Sequence, residues 1–107
     1  MKGFAGGMQN FVKQANQLQA KIKKTQEELE TREFEGTAGG SAVHVVLKGT
    51  ALVQSVKIGE DLAKSGDVEM LQDLIVAAVN DALKNAKETS AKEMEKVTGG
   101  FNVPGLF

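Results

Sequence analysis

Between Phe4 and Leu29 the apolar side chains recur at alternating steps of four and three, at Phe4, Met8, Phe11, Ala15, Leu18, Ile22 and Leu29, with polar Thr25 as the interruption. A seven-residue repeat averages 3.5 residues per turn, so the stripe stays straight on a helix only when that helix winds around another helix. The spacing predicts a long helix from about Met8 to Thr31 that needs a helical partner, in its own chain or in a second copy. Residues 1–7 hold three glycines and are expected to fray as a flexible tail.

Charge is unevenly placed along the chain. The formal total is −1, yet residues 1–32 carry +3, residues 33–66 carry −1 and residues 67–107 carry −3. From Met1 to Gln26 there are five lysines and no acidic residue. An ordinary exposed helix mixes signs for i,i+4 support, so an unmixed run is a candidate polyanion-binding face. An acidic total weakens long-range attraction to nucleic acid without excluding it, because contact depends on where the cations lie.

The rest of the chain reads as strands and then a second helix. Arg32 to Gly36 fits a short edge strand, Thr37 to Gly40 a turn, and Ser41 to Lys48 a half-buried strand with Val43, Val45 and Leu47 on one face. After a turn at Lys48-Gly49-Thr50, Ala51 to Ile58 alternates again, with Leu52, Val56 and Ile58 inward and Val53, Ser55 and Lys57 outward. Short glycine turns between three strands make an antiparallel meander. A connector from Gly59 to Gly66 holds one helical turn, and Asp67 caps a helix reaching about Val97. Its stripe is Leu71, Leu74, Ile75, Ala78, Val79, Ala82, Leu83 and Ala86, wide enough to lie on a sheet, and it then thins to Ser90, Met94 and Val97.

Such a helix is roughly 45 Å long at about 1.5 Å per residue, whereas three strands span only about 15 Å. Part of the helix must project beyond the sheet. Gly99 and Gly100 end it, and residues 99–107 are expected to form a second flexible tail. The 107 residues make one α+β domain: long N-terminal helix, three-stranded antiparallel meander, long C-terminal helix. With five Phe and no Trp or Tyr the core is thin, and self-association would support it.

Constellations for chemistry are missing. His44 is the one histidine and there is no cysteine, so neither a His-based triad with a cysteine nucleophile nor a multi-histidine metal site can be assembled in one chain. Neither Glu33 with Glu35 nor Glu93 with Glu95 converges as paired catalytic carboxylates must. Gly39-Gly-Ser41 and Lys48-Gly-Thr50 are hairpin turns, since a phosphate-binding P-loop needs Gly-Lys-Ser/Thr opening a helix. The expectation is a non-enzyme without cofactor, metal, small-molecule substrate or membrane contact, located in the cytoplasm.

The order of parts resembles the YbaB/EbfC family of bacterial nucleoid-associated proteins. The resemblance rests on Gly6-Gly-Met8 before a Gln-rich helix, the Gly36-Thr-Ala-Gly-Gly40 turn, Val43-x-Val45-x-Leu47-x-Gly49 and Val56-x-Ile58. Its most specific part is Leu71-x-Asp-Leu-Ile-x-Ala-Ala-x-Asn-Asp-Ala82 with Val97-Thr-Gly-Gly100. The resemblance implies a tweezer-like homodimer whose projecting helices bind double-stranded DNA with little sequence preference, organising the nucleoid or modulating gene expression. Carried over by position, DNA contact falls on Lys13, Lys21, Lys24, Lys84 and Lys87. Where some members place basic residues early in the third strand, this chain has Gln54 and Ser55, which argues against contact there. Asn80 is expected to be tied to backbone or to the other subunit. The alternative to DNA binding is a dimeric protein–protein interaction module.

Overall fold

Alternation along the strands decides which face of the sheet is buried. The computed structural model describes residues 2–99, with side chains from residue 7 onward. The elements are α1 (Lys2–Thr31), β1 (Glu33–Ala38), β2 (Val43–Lys48), β3 (Val53–Ile58), α2 (Glu60–Lys64) and α3 (Val68–Thr98). The strands pair antiparallel in the order β1-β2-β3, with Phe34 opposite Leu47 and Val45 opposite Val56. Val43, Val45 and Leu47 on the inner face of β2 are completely buried, each worth about 2 kcal/mol of transfer free energy.

α3 lies across that inner face over β1 and β2. Two small residues of α3, Ala78 and Ala82, are fully buried at the contact. They meet Gly36 so closely that a Cβ there would collide with the backbone of both. Helix and strand therefore touch backbone to backbone, which no larger side chain at these positions would permit. Gly49 plays the same part at the other end of the sheet, where the Leu29 carbonyl occupies the space a Cβ would need.

α3 begins as its sequence predicts. Asp67 is the N-cap, and its Oδ1 accepts a hydrogen bond from the Met70 N–H at 3.0 Å. The helical turn expected in the connector is α2, with Leu62 buried in the core.

Three expectations are corrected. α1 starts at Lys2, ahead of the glycines expected to fray it; once a helix is nucleated, each added residue gains a hydrogen bond, which offsets glycine's weak propensity. β1 runs on to Ala38, because Thr37 and Ala38 pair with His44 and Val43. In β3 the inward phase is interrupted by a register shift: Val46 pairs Ser55 but Leu47 pairs Val53, leaving Gln54 as an extra residue. Val53 therefore shares the face of Leu47, and Leu52, expected inward, is 62% exposed. Near Asn80, Asp81 accepts from the Thr37 N–H and Asn85 donates to the Glu35 carbonyl.

α1 packs against α3 of the same chain, so the seven-residue stripe has its partner within the protomer. Leu29 is buried, and Thr25, Ile22, Leu18 and Ala15 are half-buried. The molecule extends 78 × 23 × 16 Å with a radius of gyration of 21.1 Å, against about 13 Å for a compact chain of this length. The extra length is helix that has left the sheet. The side chain of Phe4 and all of residues 100–107 lie outside the described part, so the expectations made of them, including the second tail, are not addressed by this structure.

Candidate nucleic-acid interface

On α1 the lysines are sorted from the acids by position along the arm. Lys13, Lys21, Lys23 and Lys24 precede Glu27, Glu28 and Glu30, which crowd the end nearest the sheet. At about 100° per residue, Lys13 and Lys24 lie within about 20° of each other around the axis, and about 150° from the line of Leu18 and Ile22 that meets α3. Lys21 stands off to one flank. Between Lys13 and Lys24 the outward line carries Gln17 and Ala20, uncharged groups that neither repel a phosphate nor neutralise a lysine.

Lys84 and Lys87 flank Asn85 on α3, whose side chain is bonded to β1. The half-buried Ala86, Ser90 and Val97 mark the α1 side of that helix, and Lys84 lies about 140° away from them. The structure thus groups Lys13, Lys24 and, on their flank, Lys21, but places Lys84 on the opposite side of the helix pair. Lys87 follows Leu83 by one turn, on the same exposed flank. Among the described residues all five lysines are exposed and none is in an ion pair.

A second surface was not visible as such in the sequence. α3 is fixed over β1 by Asp81 and Asn85 on one side, and part of its other side is left in solvent. There Val76 is 59% exposed, and Leu83, expected in the core stripe, is also exposed. Val53, Val56 and Ile58 lie on the inner face of β3, paired with buried residues of β2, yet remain exposed. Val76, Asn80, Leu83 and Lys87 run down the exposed flank at steps of four, three and four. The signal was there in the repeat, but only the rotation of α3 separates it from the core stripe.

The Nε2 of His44 lies 3.5 Å from Glu35 on the outer sheet face. Among the described residues no three His, Asp or Glu side chains gather as a metal site would require, and no helix is long and apolar enough to cross a membrane.

A solved structure of an uncharacterized protein from Helicobacter pylori shares this fold, with a TM-score of 0.61 at 20% identity over 77% of this chain and 86% of that one. A nucleoid-associated protein of Caldanaerobacter subterraneus is 51% identical over 107 residues, covering 98% of this chain and 96% of the relative. One from Clostridium kluyveri is 47% identical over 105 residues, covering 98% and 92%. With residues 4–101 matched by the model of the YbaB/EbfC DNA-binding family, and with the sheet-and-projecting-helix architecture that the sequence resemblance implied, the chain belongs to that family.

Proposed function

We propose that this protein binds double-stranded DNA as a homodimer with little sequence preference, through cationic helical arms, and so helps to organise the nucleoid or to modulate gene expression in the cytoplasm. The observation that carries the reading is the exposed, unpaired line of Lys13 and Lys24 on the outward face of a projecting helix. Membership in a DNA-binding family and relatives named nucleoid-associated support it. Lysines on a helix back meet phosphates as point charges, and such contacts position a protein without reading bases. Arg32 is the one arginine, and it stacks on Phe34 at 5.6 Å from the ring centre, which argues against bidentate guanine readout.

Dimerisation rests on the open apolar surface. Val53, Val56 and Ile58 with Val76 and Leu83 form a face that a monomer leaves in water, and a second copy supplies a matching one. Two copies carry two arms, and the cationic line appears twice.

The test is a fluorescence-anisotropy titration of duplex DNA at low and moderate salt, with the protein sized by light scattering. The reading expects a steep loss of affinity with salt, with a log–log slope of about −0.9 per phosphate contact, and loss of binding in the Lys13→Glu/Lys24→Glu variant. A dimer that fails to bind at low salt would overturn it and leave the protein–protein interaction module.

A further inference from the structure

Every residue from Gly7 to Gln14 is exposed, whichever side of α1 it occupies, and half-buried positions begin only at Ala15. No other described element packs on this end of the helix. Three large apolar side chains stand on it: Met8, Phe11 and Val12. Met8 and Phe11 continue the seven-residue stripe, but Val12 lies about 80° or more from Leu18 and Ile22 around the axis. Helix pairing therefore gives no reason for an apolar, β-branched residue that is 52% exposed and of weak helix propensity. Val12 instead forms a line with Gln9 and Asn16, at steps of three and four, beside the line of Lys13, Gln17 and Ala20. Together the six residues make one shallow surface with three amides, one lysine and no acid. Lys23 and Lys24 stand just beyond Ala20, at its sheetward end.

We propose, building on the DNA-binding reading, that this face of α1 enters the major groove and favours A·T pairs, with Gln9 and Asn16 on adenine and Val12 on the thymine methyl. A side-chain amide presents an acceptor and a donor side by side, the complement of adenine N6–H and N7. An apolar side chain next to it meets the C5-methyl that thymine alone presents in the groove. Guanine instead takes a fork of two donors, and the one arginine is held over Phe34. The dimensions agree: a helix with its side chains is about 10–12 Å across, and the major groove is about 12 Å wide. Gln9 to Asn16 is about 10.5 Å of helix, or about three base-pair steps of about 3.4 Å. Lys13 and Lys24 lie roughly a quarter turn to one side of the amide line, where long side chains reach phosphates while shorter amides reach base edges. The outcome is a modest base preference added to contacts made chiefly with the backbone.

Base analogues test the readout without altering backbone charge. In an A·T-rich duplex, 7-deazaadenine in place of adenine removes the N7 acceptor from the major groove and leaves the minor groove as it was. By fluorescence anisotropy the full-length protein should bind the modified duplex about three- to tenfold more weakly, with an unchanged salt slope. Uracil in place of thymine removes the methyl and should weaken binding by about two- to fivefold. The Gln9→Ala/Asn16→Ala variant should bind the natural and 7-deaza duplexes alike, and Val12→Ala should lose the distinction between thymine and uracil. All three side chains are exposed, so circular dichroism should show the fold retained.

Equal binding of the natural and 7-deaza duplexes by the unaltered protein, with the salt slope intact, would overturn the readout and leave phosphate-directed DNA binding standing. Discrimination that survives in Gln9→Ala/Asn16→Ala would overturn it as well, by placing the readout elsewhere. No binding to any duplex at low salt would overturn both readings. Duplex RNA supplies the geometric check, because its deep, narrow major groove does not admit side chains. Its affinity should be lower than that of DNA by about tenfold or more, and equal affinity would show that α1 stays on the backbone.

Discussion

Asp81 accepts a hydrogen bond from the backbone N–H of Thr37 at 3.0 Å, joining residues 44 apart in the chain. One turn on, Asn85 donates to the Glu35 carbonyl at 2.8 Å. Together these bonds engage the outer edge of β1, which has no strand beyond it, and they set the rotation of α3. With Asp81 and Asn85 on the β1 side, Val76 and Leu83 are left exposed on α3. A device that closes one edge thereby defines the surface proposed for dimerisation.

Removing that device has a defined outcome. Asp81→Ala should lower stability by about 1 kcal/mol, the usual worth of an exposed hydrogen bond to a charged acceptor after solvent screening. Urea denaturation with a circular-dichroism readout measures it. Loss of the Asn85 bond in Asn85→Ala should have a similar effect, and the pair should be non-additive because both hold one helix to one strand.

Gly36→Ala should be far more damaging. A methyl group at this position has nowhere to go, since the backbone of Ala78 and Ala82 fills the space. α3 must lift from the sheet, and a loss of about 3 kcal/mol or more is expected. The midpoint of thermal unfolding should fall accordingly.

Ala51 adopts φ of 65° in the turn between β2 and β3. A Cβ in this left-handed conformation costs roughly 1–2 kcal/mol relative to the right-handed region. Its N–H donates to the Lys48 carbonyl at 2.8 Å, so the conformation is held by the hairpin. Ala51→Gly should raise stability by a few tenths to about 1 kcal/mol, the gain being reduced by glycine's greater freedom in the unfolded chain. Equilibrium denaturation gives the sign directly.

If the proposed dimer forms through this face, Val56→Asp should leave a folded monomer, because Val56 is already 41% exposed in the single chain. Sedimentation velocity checks the state and far-ultraviolet circular dichroism checks the fold. Under the proposed function the monomer should also bind DNA more weakly and with a shallower salt slope, since it presents one arm instead of two.

The α+β order of elements, the α3 cap at Asp67, the inward face of β2 and the cationic run of α1 were all legible in the sequence, because each follows from local periodicity or a local side-chain bond. Less was legible wherever two elements had to be placed against each other. Leu52 and Val53 exchange faces through the shift at Val46 and Leu47, and no alternation pattern carries that information. Asn80 and Asp81 are adjacent in sequence, and only the rotation of α3 decides that Asp81 reaches the Thr37 N–H. The five candidate lysines fall into separate groups because they sit on different sides of two packed helices.

The sequence by itself determined that α1 would need a helical partner: a stripe repeating every seven residues cannot remain on one side of an unsupported helix. Tertiary structure alone decided that the partner is α3 of the same chain, and that the pairing stops before Phe11 and Met8. Periodicity states only that a face must be buried. What buries it, and how far along, depends on the lengths and relative placement of elements that meet only when the chain has folded.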